Sequence, residues 1–138
     1  MASELLRLLE VMDRLRSPGG CPWDAEQTHQ SLIKYLLEES YEFVEAVDAD
    51  DRAAIREELG DVLLQVYFHS RIAEDHPTDP FSIEDVAAGI ADKLIRRHPH
   101  VFGDVQAETS GEVLQNWEKL KAAEKNRSSA TDGVALAQ

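Results

Sequence analysis

Apolar residues recur along this chain with the three-and-four spacing of a helix surface, and no stretch alternates as a half-buried strand would. Leu5, Leu8, Leu9, Met12 and Leu15 fall on one stripe, with Ser3 placed as its N-cap, and Ser17-Pro18-Gly19-Gly20 stops that helix. Cys21-Pro22-Trp23-Asp24 reads as a compact connector. A second helix is predicted over Thr28–Ala49, with Ile33, Leu36, Leu37, Phe43, Val44 and Val47 on an apolar side. Glu38, Glu42 and Glu45 lie on the opposite side, with Glu39 nearby. Asp50-Asp51 breaks the pattern and gives the next helix a negative start.

That third helix, Arg52–Glu74, is apolar on two faces. Ile55, Leu59, Val62, Leu63 and Val66 make one, and Leu64, Phe68 and Ile72 make the other, which also carries Asp61. Two apolar faces predict burial between neighbours. His76-Pro77-Thr78-Asp79-Pro80 is a loop. Ser82 and Asp85 open a fourth helix through Ile83, Val86, Ile90 and Leu94, and Pro99 disfavours helix at His98, so it ends near Arg97. Thr109 and Glu112 form a capping-box pair for a short fifth helix carrying Val113, Trp117 and Leu120. The expectation is an all-α protein with one domain over residues 1–126. From Arg127 a Ser/Ala/Thr/Gly-containing stretch, 127–138, reads as a disordered tail or linker.

Composition narrows the partners. The 138 residues suffice for one cored domain, and 27 acidic against 14 basic side chains give a net charge of −13. So acidic a surface argues against stable nucleic-acid binding. It leaves room for a phosphate ligand when a metal neutralises the local field. Cys21 is the only cysteine, there is no apolar run of membrane-spanning length, and the N-terminus has no signal pattern. A cytoplasmic protein is expected, with Cys21 a small packed residue.

The chemistry is concentrated in two acidic clusters on consecutive helices, Glu38-Glu39-Ser40-Tyr41-Glu42 and Glu58-Leu59-Gly60-Asp61. Each places carboxylates three or four residues apart on one helix face. Facing each other, they repel unless a hard cation such as Mg²⁺, Mn²⁺ or Ca²⁺ fills the cage. A lone acidic stripe opposite an apolar one is usually a solvated face. Asp61 among apolar neighbours, and Gly60 inside a helix at a cost of about 1 kcal/mol, weigh for the cage. Lys93, Arg96 and Arg97, followed by His98 and His100, are the densest basic patch. Basic groups at a helix C-terminus have a simple dipole explanation. A cation cage with a Lys/Arg group is also the usual means of stabilising a polyphosphate. Trp23 and Trp117 read first as packing anchors. There is no P-loop, dinucleotide fingerprint or nucleophile-triad motif.

Glu38-Glu39-x-x-Glu42 followed by Glu58-x-x-Asp61 resembles the signature of the MazG-type nucleoside triphosphate pyrophosphohydrolases. The acidic motif alone is shared with a wider all-α superfamily that includes dimeric dUTPases and phosphoribosyl-ATP pyrophosphatases. Cys21-Pro22-Trp23-Asp24-x-Glu26-Gln27-Thr28 and the run Lys93–Phe102, KLIRRHPHVF, narrow the resemblance to MazG. It implies a four-helix-type bundle core with a short additional C-terminal helix in an intertwined homodimer. It also implies Mg²⁺-dependent cleavage (Mn²⁺ substituting) of the α–β phosphoanhydride, giving a nucleoside monophosphate and pyrophosphate. By motif position Glu39, Glu42, Glu58 and Asp61 resemble the metal ligands. Glu38 or Glu39 would activate water, Lys93 and Arg97 would handle phosphate, and Trp117 matches an aromatic near the active site. Arg96, Gln27 and His29 are further candidate substrate contacts. The alternative is a non-catalytic nucleotide- or partner-binding helical dimer with a vestigial metal site.

Overall fold

The computed structural model describes residues 3–104 and 106–136, with side chains through Asn126. It is all-α: among the described residues there are seven helices and no strand. α1 is Glu4–Arg16, α2 Pro22–Glu26, α3 His29–Asp48, α4 Arg52–Ala73, α5 Ile83–Arg97, α6 Pro99–Phe102 and α7 Ser110–Leu136.

Local sequence sets most boundaries. Ser3 caps α1 by accepting from the Leu6 N–H. Thr28 and Ser31 cap α3 reciprocally, each hydroxyl taking the other's backbone N–H. Asp51 accepts from the Ala54 N–H at the start of α4, and Ser82 and Asp85 cap each other before α5. Two short helices stand where the sequence predicts a connector at Cys21–Asp24 and, after the helix end near Arg97, no element. Both place proline at their first position, Pro22 in α2 and Pro99 in α6, where the missing N–H costs nothing. α7 is longer than the short helix expected. The tail expected over 127–138 falls on side chains outside those described and on Ala137 and Gln138, which lie outside the described residues altogether.

The chain divides into two compact units, Met1–Val86 and Ala87–Gln138. In the first, α3 and α4 form a helical hairpin closed by Ala49–Asp51, and α1 packs on α4. Asp50 takes the left-handed conformation at the corner, φ 52°, one of few L-residue types that does so readily. Met12, Leu32 and Phe68 are buried together, with Leu15, Tyr35, Leu64 and Ile72 packed around them. Trp23 on α2 sets its ring edge-on to Tyr35 and Phe68, so its anchoring role is the observed one.

The apolar side predicted for α3 is rotated from the buried one. Leu32 and Ala46 are buried and Tyr35, Leu36, Glu39 and Phe43 half-buried, whereas Ile33, Leu37, Tyr41, Val44 and Val47 are exposed. On α4, Phe68 is buried with Leu64 and Ile72 against the core, while Leu59 and Val66 on the other apolar face are exposed. The helices are apolar over wider arcs than one chain's neighbours cover. In the second unit α6 follows α5 directly, and Arg96 and Arg97 of α5 both bond Glu124 of α7.

Candidate metal centre

The turn at Asp50 folds α4 back along α3, so positions one helical turn apart on each helix meet across the hairpin. Glu39 and Glu42 of α3 face Glu58 and Asp61 of α4. Each offers a carboxylate oxygen, and these oxygens all lie within 4.8 Å of one another. Glu39, Glu58 and Asp61 are half-buried and Glu42 is exposed, so the cluster is open to solvent on one side. Periodicity set Glu39 near a polar face; in the folded chain it turns toward α4 instead. Both helices therefore contribute inward carboxylates. Glu38 is exposed and outside the quartet.

The electrostatics of the quartet are unfavourable as it stands. Desolvation raises the Glu39 pKa above its ordinary value, with Asp61, Glu42 and Glu38 adding repulsion. Glu58 is pushed up to about 7, first by desolvation, then by the hydrogen bond to and charge of Glu42, with Asp61 and Glu39 contributing. Glu39 Oε2 and Glu58 Oε2 are shielded from solvent and have no hydrogen-bond partner. Shielded, unpartnered carboxylate oxygens in a cluster of four like charges match the donor set of a hard divalent cation. The residues present fit such an ion.

The basic patch belongs to the second unit. Arg96 Nε donates to Glu124 Oε1 at 2.7 Å and Arg97 Nη2 to Glu124 Oε2 at 2.8 Å. The bond from Arg97 and then that from Arg96 hold Glu124 down at about 2, so it stays ionised and fixes both guanidiniums. Arg97 Nε is buried without a partner, and Lys93 is half-buried one turn before Arg97. Trp117 meets the His98 ring edge-on at 5.1 Å. With His100, Thr109, Val113 and Leu114 it lines a cavity of about 460 Å³, where Trp117 Nε1 and His100 Nδ1 are unpartnered.

The two remaining candidates separate. Gln27 is engaged at the α2–α3 junction, donating to the Trp23 carbonyl and accepting from Ser31 Oγ. His29 instead stacks on His69 of α4, their Nδ1 atoms 2.8 Å apart, at the mouth of an apolar slot. Gln65 and His69 line that slot, and sequence reasoning passed over both. They extend the Asp61 stripe by four and eight residues, which is the signal that locates them.

A profile of the MazG nucleotide pyrophosphohydrolase domain matches residues 27–102, more than half of the chain, and spans all four carboxylates and the basic run. The chain belongs to the MazG family. It is 52% identical, over 87% of its length, to a Thermotoga maritima protein named nucleoside triphosphate pyrophosphohydrolase/pyrophosphatase MazG, of which the match covers 45%. It is 46% identical, over 96% of its length, to the Escherichia coli K12 nucleoside triphosphate pyrophosphohydrolase, of which it covers 51%. It thus spans about half the length of these curated relatives. The crystal structure of a mazG-related protein from Thermotoga maritima superposes with a TM-score of 0.68 at 29% identity, covering 84% of this chain and 97% of that one. No described helix is long and apolar enough to cross a membrane.

Proposed function

We propose that this MazG-family chain hydrolyses nucleoside triphosphates at the α–β phosphoanhydride. Water adds across that bond, yielding a nucleoside monophosphate, pyrophosphate and a proton. The observation that carries the reading is the convergence of Glu39, Glu42, Glu58 and Asp61, with two oxygens shielded and unpartnered. A net charge of −13 makes a triphosphate a poor ligand unless this quartet is neutralised first, and Mg²⁺, or Mn²⁺ in its place, is the ion we assign there. What such an ion supplies is charge neutralisation and Lewis acidity toward phosphate oxygens.

The protein's own groups then have separable tasks. Glu39, Glu42, Glu58 and Asp61 hold the cation. Glu38, exposed and outside the quartet, is the carboxylate left free to accept the proton of the attacking water. Lys93 and Arg97 offset charge on the leaving pyrophosphate, and Arg96 and Trp117 contribute to holding the nucleotide. The Glu124 clamp supports this by fixing both guanidiniums before substrate arrives. We further propose that the chain works as a homodimer, supported by the exposed apolar stripe of α3.

The test is incubation with a mixture of nucleoside triphosphates and Mg²⁺, followed by assay for pyrophosphate. Glu42→Gln and Asp61→Asn should each lower turnover more than about 100-fold with the helical circular dichroism retained. Even groups that only orient metal ligands are worth roughly 10–100-fold. Orthophosphate in place of pyrophosphate would move the cleaved bond. Nucleotide binding without either product would leave a binding module.

A further inference from the structure

In the second unit, the residue that follows α5 is held at both its backbone and its ring. Pro99 keeps His98 out of the helical region, and its backbone sits at φ −125° and ψ 57°. The His98 N–H bonds the Ile95 carbonyl at 3.3 Å and leaves the Leu94 carbonyl without an amide. His98 Nδ1 takes that carbonyl instead, at 2.6 Å. A carbonyl only accepts, so Nδ1 carries a hydrogen and the ring has one orientation. The His98 carbonyl accepts from the Val101 and Phe102 N–H groups, both at 3.0 Å, and so starts α6. The ring placed in this way meets Trp117 of α7 at 5.1 Å between centroids and 81° between planes. His100 lies tilted against it at 5.5 Å.

Trp117 depends on that contact. An indole has one polar handle, and Trp117 Nε1 is buried with no hydrogen-bond partner among the described residues. No hydrogen bond therefore fixes the plane of the ring. Packing does, and the perpendicular contact with His98 is its directional part. Glu124 follows Trp117 by two helical turns on nearly the same face of α7, and it holds Arg96 and Arg97, the two residues before His98. The end of α5 is thus tied to α7 at two points, one ionic and one aromatic. We propose that His98 is a positioning residue of the hydrolysis: it sets the plane of Trp117, and through Trp117 the affinity for the nucleotide. The inference rests on the reading that Trp117 helps to hold the nucleotide. The competing role for His98 is a plain cap on the Leu94 carbonyl. A cap needs an N–H donor, whereas setting the indole plane needs a flat ring.

Two substitutions in the full chain separate these roles. His98→Asn keeps a donor for the Leu94 carbonyl and removes the ring, and asparagine is favourable at a helix start, so α6 is kept. His98→Phe keeps a ring against Trp117 and removes the donor; the bond it loses lies at the exposed surface, where water serves the carbonyl. Kinetics of pyrophosphate release from a nucleoside triphosphate with Mg²⁺ should show KM raised roughly three- to tenfold in His98→Asn, with kcat nearly constant. His98→Phe should stay within about twofold of wild type. The reverse order, with His98→Phe impaired and His98→Asn normal, reduces His98 to a cap and overturns the proposal. Because the role runs through Trp117, His98→Asn should add nothing in a Trp117→Leu background. Additive losses would give His98 a contact of its own and overturn it too. ¹⁹F spectra of the 5-fluorotryptophan-labelled chain read the geometry without turnover. The chain has two tryptophans, so the Trp117 line is the one absent from Trp117→Leu. That line should move in His98→Asn while the Trp23 line stays; a Trp117 line indifferent to His98→Asn overturns the positioning role. Wild-type KM in Trp117→Leu would remove Trp117 from the nucleotide, and the role of His98 with it, while leaving the hydrolysis standing. A wild type that releases no pyrophosphate overturns the hydrolysis reading itself.

Discussion

At the scale of single residues, the quartet governs how this protein should respond to pH and to metal. Glu58 sits at about 7 and Glu39 is raised, so in the metal-free fold these groups resist ionisation that the unfolded chain accepts near 4.5. Below 4.5 Glu58 is protonated in both states and carries no pH-dependent cost. Between about 4.5 and 7 the unfolded state releases its proton first, so stability falls as pH rises, and levels off above. His69 acts with the opposite sign. Desolvation and then the charge of His29 lower its pKa, so it favours folding as pH rises through the ordinary histidine range. Glu58→Gln isolates the carboxylate contribution. In EDTA the wild type should lose melting temperature relative to Glu58→Gln between about pH 5 and 7.5. Mg²⁺ should restore it more at pH 7.5 than at pH 5, because binding requires the ionised form. Parallel pH profiles for wild type and variant, with no differential Mg²⁺ effect, would remove Glu58 from the cation site. The Glu124 clamp titrates in another window. Held down at about 2, it stabilises the fold above the ordinary carboxylate range and loses that contribution as pH falls toward 2.

At the scale of elements, glycines separate two kinds of helix surface. Gly20 follows α1 where its N–H bonds the Ser17 carbonyl, and a Cβ there would overlap the carbonyl oxygens of Arg14 and Leu15. Those are backbone atoms and cannot yield as a side chain would. Gly20→Ala should therefore cost on the order of 1–3 kcal/mol, read as a lower urea midpoint. Gly89, inside α5, has nothing within 4 Å of its Cβ position. Gly89→Ala should gain roughly 0.5–1 kcal/mol by removing the helix penalty of glycine, provided nothing outside the chain packs there. The stop at Ser17–Gly20, the cap at Ser3 and the helix start at Ser82 and Asp85 were legible because each rests on local hydrogen bonding, whereas Asp51 was legible only as a negative helix start and the structure makes it a cap. The rotation of α3 was not legible. Its apolar residues cover a wide arc, and only the partner helix decides which edge turns inward. Glu39 and Glu42 were legible as neighbours on one helix, but their approach to Glu58 and Asp61 depends on the corner at Asp50. Gln65 and His69 were in plain view at helical spacing from Asp61, yet only the folded chain brings them to one slot.

At the scale of the whole molecule, the question is what meets the side of α3 that turns away from α4. Ile33, Leu37, Tyr41, Val44 and Val47 form a continuous stripe at three-to-four-residue spacing, and Tyr41 is 72% exposed. Single exposed apolar side chains are ordinary, but a contiguous row along a 20-residue helix is the mark of an interaction surface. Net charge opposes non-specific clustering at −13, which favours a surface matched to one partner. A second copy of the chain is the partner that the homodimer proposal supplies, because a two-fold interface presents the same stripe from both sides. Sedimentation at micromolar concentration should give twice the chain mass of 15.5 kDa. The double variant Leu37→Arg/Val44→Arg should run as a single chain, since both substitutions place charge at positions a dimer would desolvate. Its α3–α4 hairpin should persist, because the core formed by Met12, Leu32 and Phe68 lies on the other side of the helix. A helical, single-chain variant that still binds Mg²⁺ would show that the hairpin carries the cation site by itself. A wild type that sediments as a single chain would reassign the stripe to a different partner.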